Sequence, residues 1–172
     1  MPDDATYQRY IEPNEAKLIA AAWRVLSNEA DVNDAIQDAL TRIWKNRQTL
    51  ETHANSTAWM LRIVLNAAYD QLRKRKVQRT KTLPEWLVAD HTSADSKAQA
   101  EELKRRLLEE ISLLSPKQAQ AILLRLVEEM PYAEISEAMG CSEATARVHV
   151  KRGREKLQER LADLQPFSQR SH

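Results

Sequence analysis

Residues 131–157, PYAEISEAMGCSEATARVHVKRGREKL, constrain the fold more than any other stretch. The chain has two glycines, Gly140 and Gly153, and both lie here. Pro131 suits the first turn of a helix, where its missing N–H would be unpaired anyway. Ile135 and Met139 then share a face at i, i+4 spacing. Gly140 stops that helix, because only glycine reaches the left-handed cap conformation cheaply. Ser142 can cap a second helix, with Glu143 in its first turn, where the dipole favours negative charge. In the second helix Ala146, Val150, Gly153 and Leu157 line one face, and Arg147, His149, Lys151, Arg152 and Arg154 lie on the others. Two helices around a tight turn, the second apolar inward and basic outward, suit a DNA major groove. Alone, the same basic face is also what a merely solvated helix shows.

Composition narrows the choice. In 172 residues, charged residues make up 30% and aromatics 5%, which suits a helical, strand-poor chain. The formal net charge of +1 hides an uneven spread. Residues 62–81 carry 7 Lys/Arg against 1 Asp/Glu, and residues 142–160 carry 6 against 3. Residues 1–61 and 82–141 are acidic. Two basic islands in an acidic background imply two polyanion contacts. The single Cys141 excludes an intramolecular disulfide, fits a reducing cytoplasm, and reads as a small apolar side chain packed behind the turn glycine. No apolar run approaches the roughly 18 residues of a membrane span, and no basic-then-apolar leader is visible, so the reading is a soluble, cytoplasmic protein.

The periodicity predicts an all-α chain of two small helical domains joined by a linker, the second containing the helix–turn–helix. The expected bounds are 1–79, a linker at 80–95, 96–165, and a tail at 166–172. Residues 1–11 read as frayed. A first helix over 13–27 would bury Ala16, Ile19, Ala20, Trp23 and Leu26. A second, capped by Asp31, spans about 32–47 with Ala35, Ile36, Ala39, Leu40, Ile43 and Trp44 inward. Residues 48–56 read as a polar loop. A third helix over 57–78 buries Met60, Ile63, Val64, Ala67, Ala68 and Leu72, runs on into the basic RKRKVQR string, and carries Trp59 as a core anchor. The linker holds Pro84, an apolar knot of Leu83, Trp86, Leu87 and Val88, and the acids Glu85, Asp90 and Asp95. A fourth helix over 96–113 points Leu103, Leu107, Leu108 and Ile111 inward. Ser115 to Gln118 form a capping box for a fifth over 116–129 that buries Ala119, Ile122, Leu123 and Leu126. The last helix is expected to end near Leu164.

Catalytic constellations are missing from the sequence. His53, His91, His149 and His172 lack metal-ligand spacing, Cys141 has no His pair beside it, and no glycine-rich phosphate loop occurs. The expectation is no enzyme, no metal and no cofactor.

Two segments, in order, resemble one family. The first is residues 30–46, ADVNDAIQDALTRIWKN, followed by 57–76, TAWMLRIVLNAAYDQLRKRK. It carries Gln37-Asp38, Arg42 and Trp44, then Trp59, Arg62-Ile63, Asn66, Asp70 and Arg73. The second is residues 114–157, with the Tyr-x-Glu-Ile helix, the glycine turn and the Ser-x-x-Thr start of the recognition helix. Together they resemble a sigma factor of the sigma-70 family, extracytoplasmic-function group, over nearly all of residues 13–162. Val148-His149 stand where that family more often has Ser-Arg, and Gly153 where it more often has alanine.

The resemblance implies a transcription initiation factor with core RNA polymerase and promoter DNA as partners, and an anti-sigma factor as a further expected one. Polymerase docking would fall to Asp34, Gln37, Asp38, Arg42 and Lys45. Recognition of the melted −10 strand would fall to the loop 48–56 as a base pocket, to Asn66 and Asp70, and to Arg73, Lys74, Arg75 and Lys76 on phosphates. Binding of the −35 duplex would fall to Arg147, Lys151 and Arg152 on base edges or phosphates, with Ser142 and Thr145 on phosphates and Val148 and His149 on the same face. The linker would thread near the polymerase active site and the RNA exit channel. The rival reading is a stand-alone helix–turn–helix regulator that binds duplex DNA by itself.

Overall fold

The computed structural model describes residues 4–82 and 96–162. Every secondary-structure element among them is helical. The expected linker knot and its acids lie outside the described residues.

Residues 4–14 are helical, where a frayed segment was expected over 1–11. α1 (Asp4–Thr6) leads through a π turn, Tyr7–Ile11, and a 3-10 turn, Glu12–Asn14. Ile11 is buried, and the Thr6 hydroxyl donates to Glu51 at 2.8 Å, so the segment has both an apolar and a polar anchor.

α2 (Glu15–Val25) buries Leu18, Ala21, Ala22 and Val25, with Leu26 just beyond its end. That is the opposite stripe to the one expected: Ala16 and Trp23 are exposed, and Ile19 and Ala20 half-buried. The LIAAAW run is apolar on every side, so period alone does not choose a face. Packing chooses it. Ala21 and Ala22 of α2 join Ala35 and Ala39 of α3 (Glu29–Lys45) and Ala67 and Ala68 of α5 (Ser56–Thr82), all at 0–1% exposure. Alanines let helix axes approach closely, and a tryptophan on that face would hold them apart.

α3 begins earlier than expected. Asn28, not Asp31, is its N-cap and accepts from the Asp31 N–H at 2.9 Å. Asp31 answers by accepting from the Asn28 amide at 2.7 Å, a reciprocal pair that satisfies the helix entry. Residues 48–56 are not simply a loop: α4 (Arg47–Thr52) forms there and inserts Leu50 completely into the core.

α5 is the central element. Its expected stripe is buried except Leu72, which is half-buried, and Leu61, Leu65 and Tyr69 on other faces are buried as well. A helix apolar all round must be covered all round. α2, α3 and α4 cover one side; α7 (Pro116–Ile122) and α8 (Tyr132–Met139) of the C-terminal half cover another. The Tyr69 hydroxyl donates to the Leu114 carbonyl at 2.8 Å, His53 Nε2 meets the Glu137 carbonyl at 3.0 Å, and Arg24 pairs with Glu128 at 2.8 Å. The helix runs to Thr82, three residues into the expected linker.

α6 (Ser96–Ile111) buries Ile111, but Leu103, expected inward, is 53% exposed. After α7 the backbone widens into a π turn, Leu123–Val127, with Glu128 N–H reaching the Leu123 carbonyl at 3.2 Å. The extra residue per turn shifts the register, so Leu124 points inward and the expected Leu126 is exposed. Ser115 takes the N-cap position of α7 without a side-chain bond, and Gln118 is buried beneath it, so the expected capping box does not close.

The helix–turn–helix matches its sequence. Pro131 is the N-cap of α8 rather than its first helical residue. Gly140 adopts φ 65° and ψ 40°, its N–H meeting the Glu137 carbonyl, while Cys141 N–H reaches the Ser136 carbonyl. These two bonds make a Schellman stop, which needs a left-handed residue at that place. Cys141 is half-buried against the core. Ser142 Oγ then accepts from Thr145 N–H at 3.1 Å and opens α9 (Glu143–Arg160). Ala146, Val150, Gly153 and Leu157 are the buried face of α9, and the helix ends four residues before Leu164.

Candidate nucleic-acid interface

α9 presents Ser142, Thr145, Arg147, Val148, Lys151 and Arg152 to solvent, with His149 half-buried. Its inward face is small and apolar, so the helix is seated on α7 while its basic side stands free. Ser142 donates its hydroxyl proton to Thr145 Oγ1 at 2.9 Å, which leaves the Thr145 hydroxyl proton available to an external acceptor. Arg147 lies 4.2 Å over the Tyr132 ring and 3.6 Å from Glu143. Arg125 sits 4.8 Å from the same ring centre and donates to the Met130 carbonyl. Tyr132 therefore restrains the Arg147 guanidinium through a cation–π contact. Tyr132 was not singled out from sequence, because it lies on α8 and only the turn at Gly140 brings it under Arg147.

The first basic island is the outer end of α5. Arg73, Lys74 and Arg75 are exposed and Lys76 half-buried. Arg73 lies 5.7 Å from the Tyr69 ring centre, and Arg75 reaches Asp31 at 2.7 Å. Exposed pairs of this kind contribute roughly 0.2–1 kcal/mol, so a phosphate can displace them. Burial raises the Tyr69 phenol above its ordinary range, and the neighbouring Arg73 pulls partly against that.

A cavity of about 400 Å³ opens where α3, α4 and α5 meet, lined by Arg42, Asn46, Thr49, Trp59, Arg62, Ile63 and Asn66. Trp59 is 5% exposed and serves as its apolar wall, in keeping with a core anchor. Arg62 is the unusual member. It is half-buried, its Nε is fully covered with no hydrogen-bond partner, and burial lowers its guanidinium from the ordinary range. A buried donor without a partner is costly, and because that Nε is covered, what a ligand in the cavity can meet is the rest of the Arg62 side chain that lines it. Asn46 and Arg62 were not singled out from sequence as site residues, whereas Thr49 falls within 48–56, expected as the base pocket. Arg62 could have been: it stands between the buried Trp59 and half-buried Asn66 on a helix otherwise apolar at its centre.

The two residue sets expected to serve polymerase and −10 DNA meet in one ion triad. Arg42 Nη2 binds Asp38 at 2.6 Å and Asp70 at 3.0 Å. Burial pulls the Arg42 guanidinium down, but the Asp70 hydrogen bond and the two carboxylate charges outweigh it and the net direction is up. Asp34, Gln37 and Lys45 remain exposed along the outer face of α3.

Comparison with known proteins identifies the family. Residues 10–77 match the model of Sigma-70 region 2, and residues 104–157 match that of Sigma-70, region 4. Among curated relatives, the ECF RNA polymerase sigma factor SigW of Bacillus subtilis is 26% identical, covering 94% of this chain and 92% of its own. The RNA polymerase sigma factor CarQ of Myxococcus xanthus is 31% identical, covering 83% and 81%. Among solved structures, the sigma factor RpoE in complex with the anti-sigma factor NepR from Bartonella quintana superposes with a TM-score of 0.52 at 25% identity, covering 91% of this chain and 96% of that one. The chain belongs to the sigma-70 family of RNA polymerase sigma factors. Within it, the chain is an extracytoplasmic-function sigma factor, a factor of promoter-specific transcription initiation, and the stand-alone regulator reading is not supported. No helix among the described residues is long and apolar enough to cross a membrane.

Proposed function

We propose that this sigma factor divides promoter recognition between the cavity beside α5 and the outer face of α9. The domain of residues 1–79 docks on core polymerase through Asp34, Gln37 and Asp38 with Lys45, and takes an unpaired −10 nucleotide into the cavity at Asn66. Arg73, Lys74, Arg75 and Lys76 follow the strand's phosphates. The domain of residues 96–165 lays α9 in the −35 major groove, with Arg147, Lys151 and Arg152 toward base edges and phosphates, Val148 and His149 on the same face, and Thr145 donating to a phosphate. The chain supplies binding and positioning, and the polymerase supplies the chemistry. The linker that follows α5 would thread near the polymerase active site and the RNA exit channel. The protein works in the cytoplasm and is held in reserve by an anti-sigma factor, as the related RpoE is bound by NepR.

One observation carries this reading: a cavity with an apolar wall at Trp59 and polar and cationic lining at Arg42, Asn46, Thr49, Arg62 and Asn66. An extruded base with its phosphate offers acceptors to those donors. The test is equilibrium binding of the full chain to a double-stranded promoter fragment, with and without core polymerase. Two weak modules need polymerase to fix their spacing, so binding should be strong only with core present. Equal affinity without polymerase would overturn the reading.

A further inference from the structure

Arg42 lies on the helix whose outer face is assigned to polymerase, and its ion pair with Asp38 at i,i+4 sets it at the edge of that face. It lines the same cavity as Arg62 and Asn66. Asp38 and Asp70 both grip a single nitrogen, Nη2, at 2.6 and 3.0 Å. A guanidinium carries five N–H donors in a rigid fork. Fixing one nitrogen from two sides locks the plane of the group and leaves Nη1 and Nε without a carboxylate. The residue is thus restrained in orientation, with two of its nitrogens free of any carboxylate. Asp70, one helical turn beyond Asn66, is also poorly suited to touch DNA: its carboxylate would repel a phosphate, and it is already occupied.

We infer that Arg42 is a DNA-contacting residue of the −10 cavity, with Asp70 and Asp38 as the positioning residues that aim it. The inference rests on the functional reading above and moves Arg42 from the polymerase side to the nucleic-acid side. Its ligand is an acceptor on the extruded nucleotide. Nη1–H and Nε–H diverge, so each reaches a separate single acceptor, either on a base edge, such as guanine O6, or a phosphate oxygen. With Arg62 it places two cations around one cavity, which a nucleotide phosphate would neutralise.

The experiment uses holoenzyme reconstituted from core polymerase and the full chain, on a promoter whose start site has first been mapped by run-off. Two quantities are measured for each variant: affinity for core polymerase, and promoter opening per bound holoenzyme, read as permanganate reactivity of unpaired thymines. R42A should bind core within about twofold of the parent and lose opening by roughly tenfold, the size expected for one nucleic-acid contact. R42K, which keeps the charge and loses the fork, should fall between them. R42Q provides the neutral variant of similar length should R42A fold poorly. D70N should reduce opening in the parent and do little more in the R42A background, because it acts through Arg42. A purely structural Asp70 would give losses that multiply. Substituting each −10 base in turn separates the two ligand sources. A base contact makes the R42A loss vanish at one position, and a phosphate contact makes it uniform. Weakened core binding with opening intact, or no effect on either quantity, overturns the inference. Failure of the parent holoenzyme to open the promoter instead overturns the functional reading beneath it.

Discussion

Gly153 lies in the interior of the recognition helix α9, where glycine costs about 1 kcal/mol of helix propensity relative to alanine. On propensity alone, Gly153→Ala should stabilise the protein. Packing argues the reverse. A Cβ at this position would lie 2.6 Å from Ile122 Cγ1 and 3.1 Å from its Cδ1. Ile122 is fully buried and branched at Cβ, so its Cγ1 cannot swing clear. Overpacking a tight core costs about 1–3 kcal/mol, so the net effect should be a loss of roughly 1 kcal/mol. The sign should depend on Ile122. In an I122A background, itself about 2–5 kcal/mol less stable, the added methyl fills vacated space. There G153A should stabilise by about 1 kcal/mol or more, from propensity plus burial of one carbon. Urea unfolding of the four proteins, followed by far-UV circular dichroism, reads the coupling directly. A stabilising G153A in the parent, or the same change in both backgrounds, would refute the close α7–α9 contact as the reason for glycine here.

Other consequences follow from the same geometry. Tyr69→Phe leaves the Leu114 carbonyl without its donor and should cost about 1–3 kcal/mol in urea unfolding. Burial raises the folded pKa of Tyr69, so its stabilising contribution is complete below the ordinary tyrosine value near ~10 and is lost as pH rises through the higher folded value. The alkaline fall in urea midpoint should therefore be shallower in Y69F, and identical alkaline limbs would contradict this. Arg147→Ala and Lys151→Ala should each weaken −35-dependent binding of the holoenzyme by about 1–3 kcal/mol, and unchanged promoter selectivity in both would remove that face from recognition. Asp34→Ala should lower affinity for core polymerase by about tenfold, roughly 1.4 kcal/mol, without altering opening by the holoenzyme that does form. Loss of opening at unchanged affinity would place Asp34 elsewhere.

The helix–turn–helix was legible because its signals agree. A lone glycine at the turn, a serine cap and a clean inward stripe from Ala146 to Leu157 each specify the same geometry. The faces of α2 were not legible, since LIAAAW is apolar all round and only the alanine-lined approach of α3 and α5 selects one stripe. α4 offers a single apolar anchor, Leu50, too little for a periodic signal. The π turn after Ile122 breaks the 3.6-residue period on which the expectation for Leu126 rested. The candidate site divides in the same way. Residues of α9 and the α5 string are local and basic, and could be named from the chain. Arg42 and Asp70 stand 28 positions apart on two helices, and only the packing of α3 on α5 unites them. Arg62 sits in a family-like motif, but its missing partner is a property of the folded cavity.

The central claim is that two surfaces of this chain read two promoter elements on behalf of a polymerase. Run-off transcription with core RNA polymerase and the purified chain tests it most directly, using one template and two derivatives in which the −10 or the −35 element is scrambled. The account predicts a discrete transcript that requires the chain, and that is lost or greatly reduced when either element is scrambled. Transcription indifferent to the chain or to both elements would contradict it.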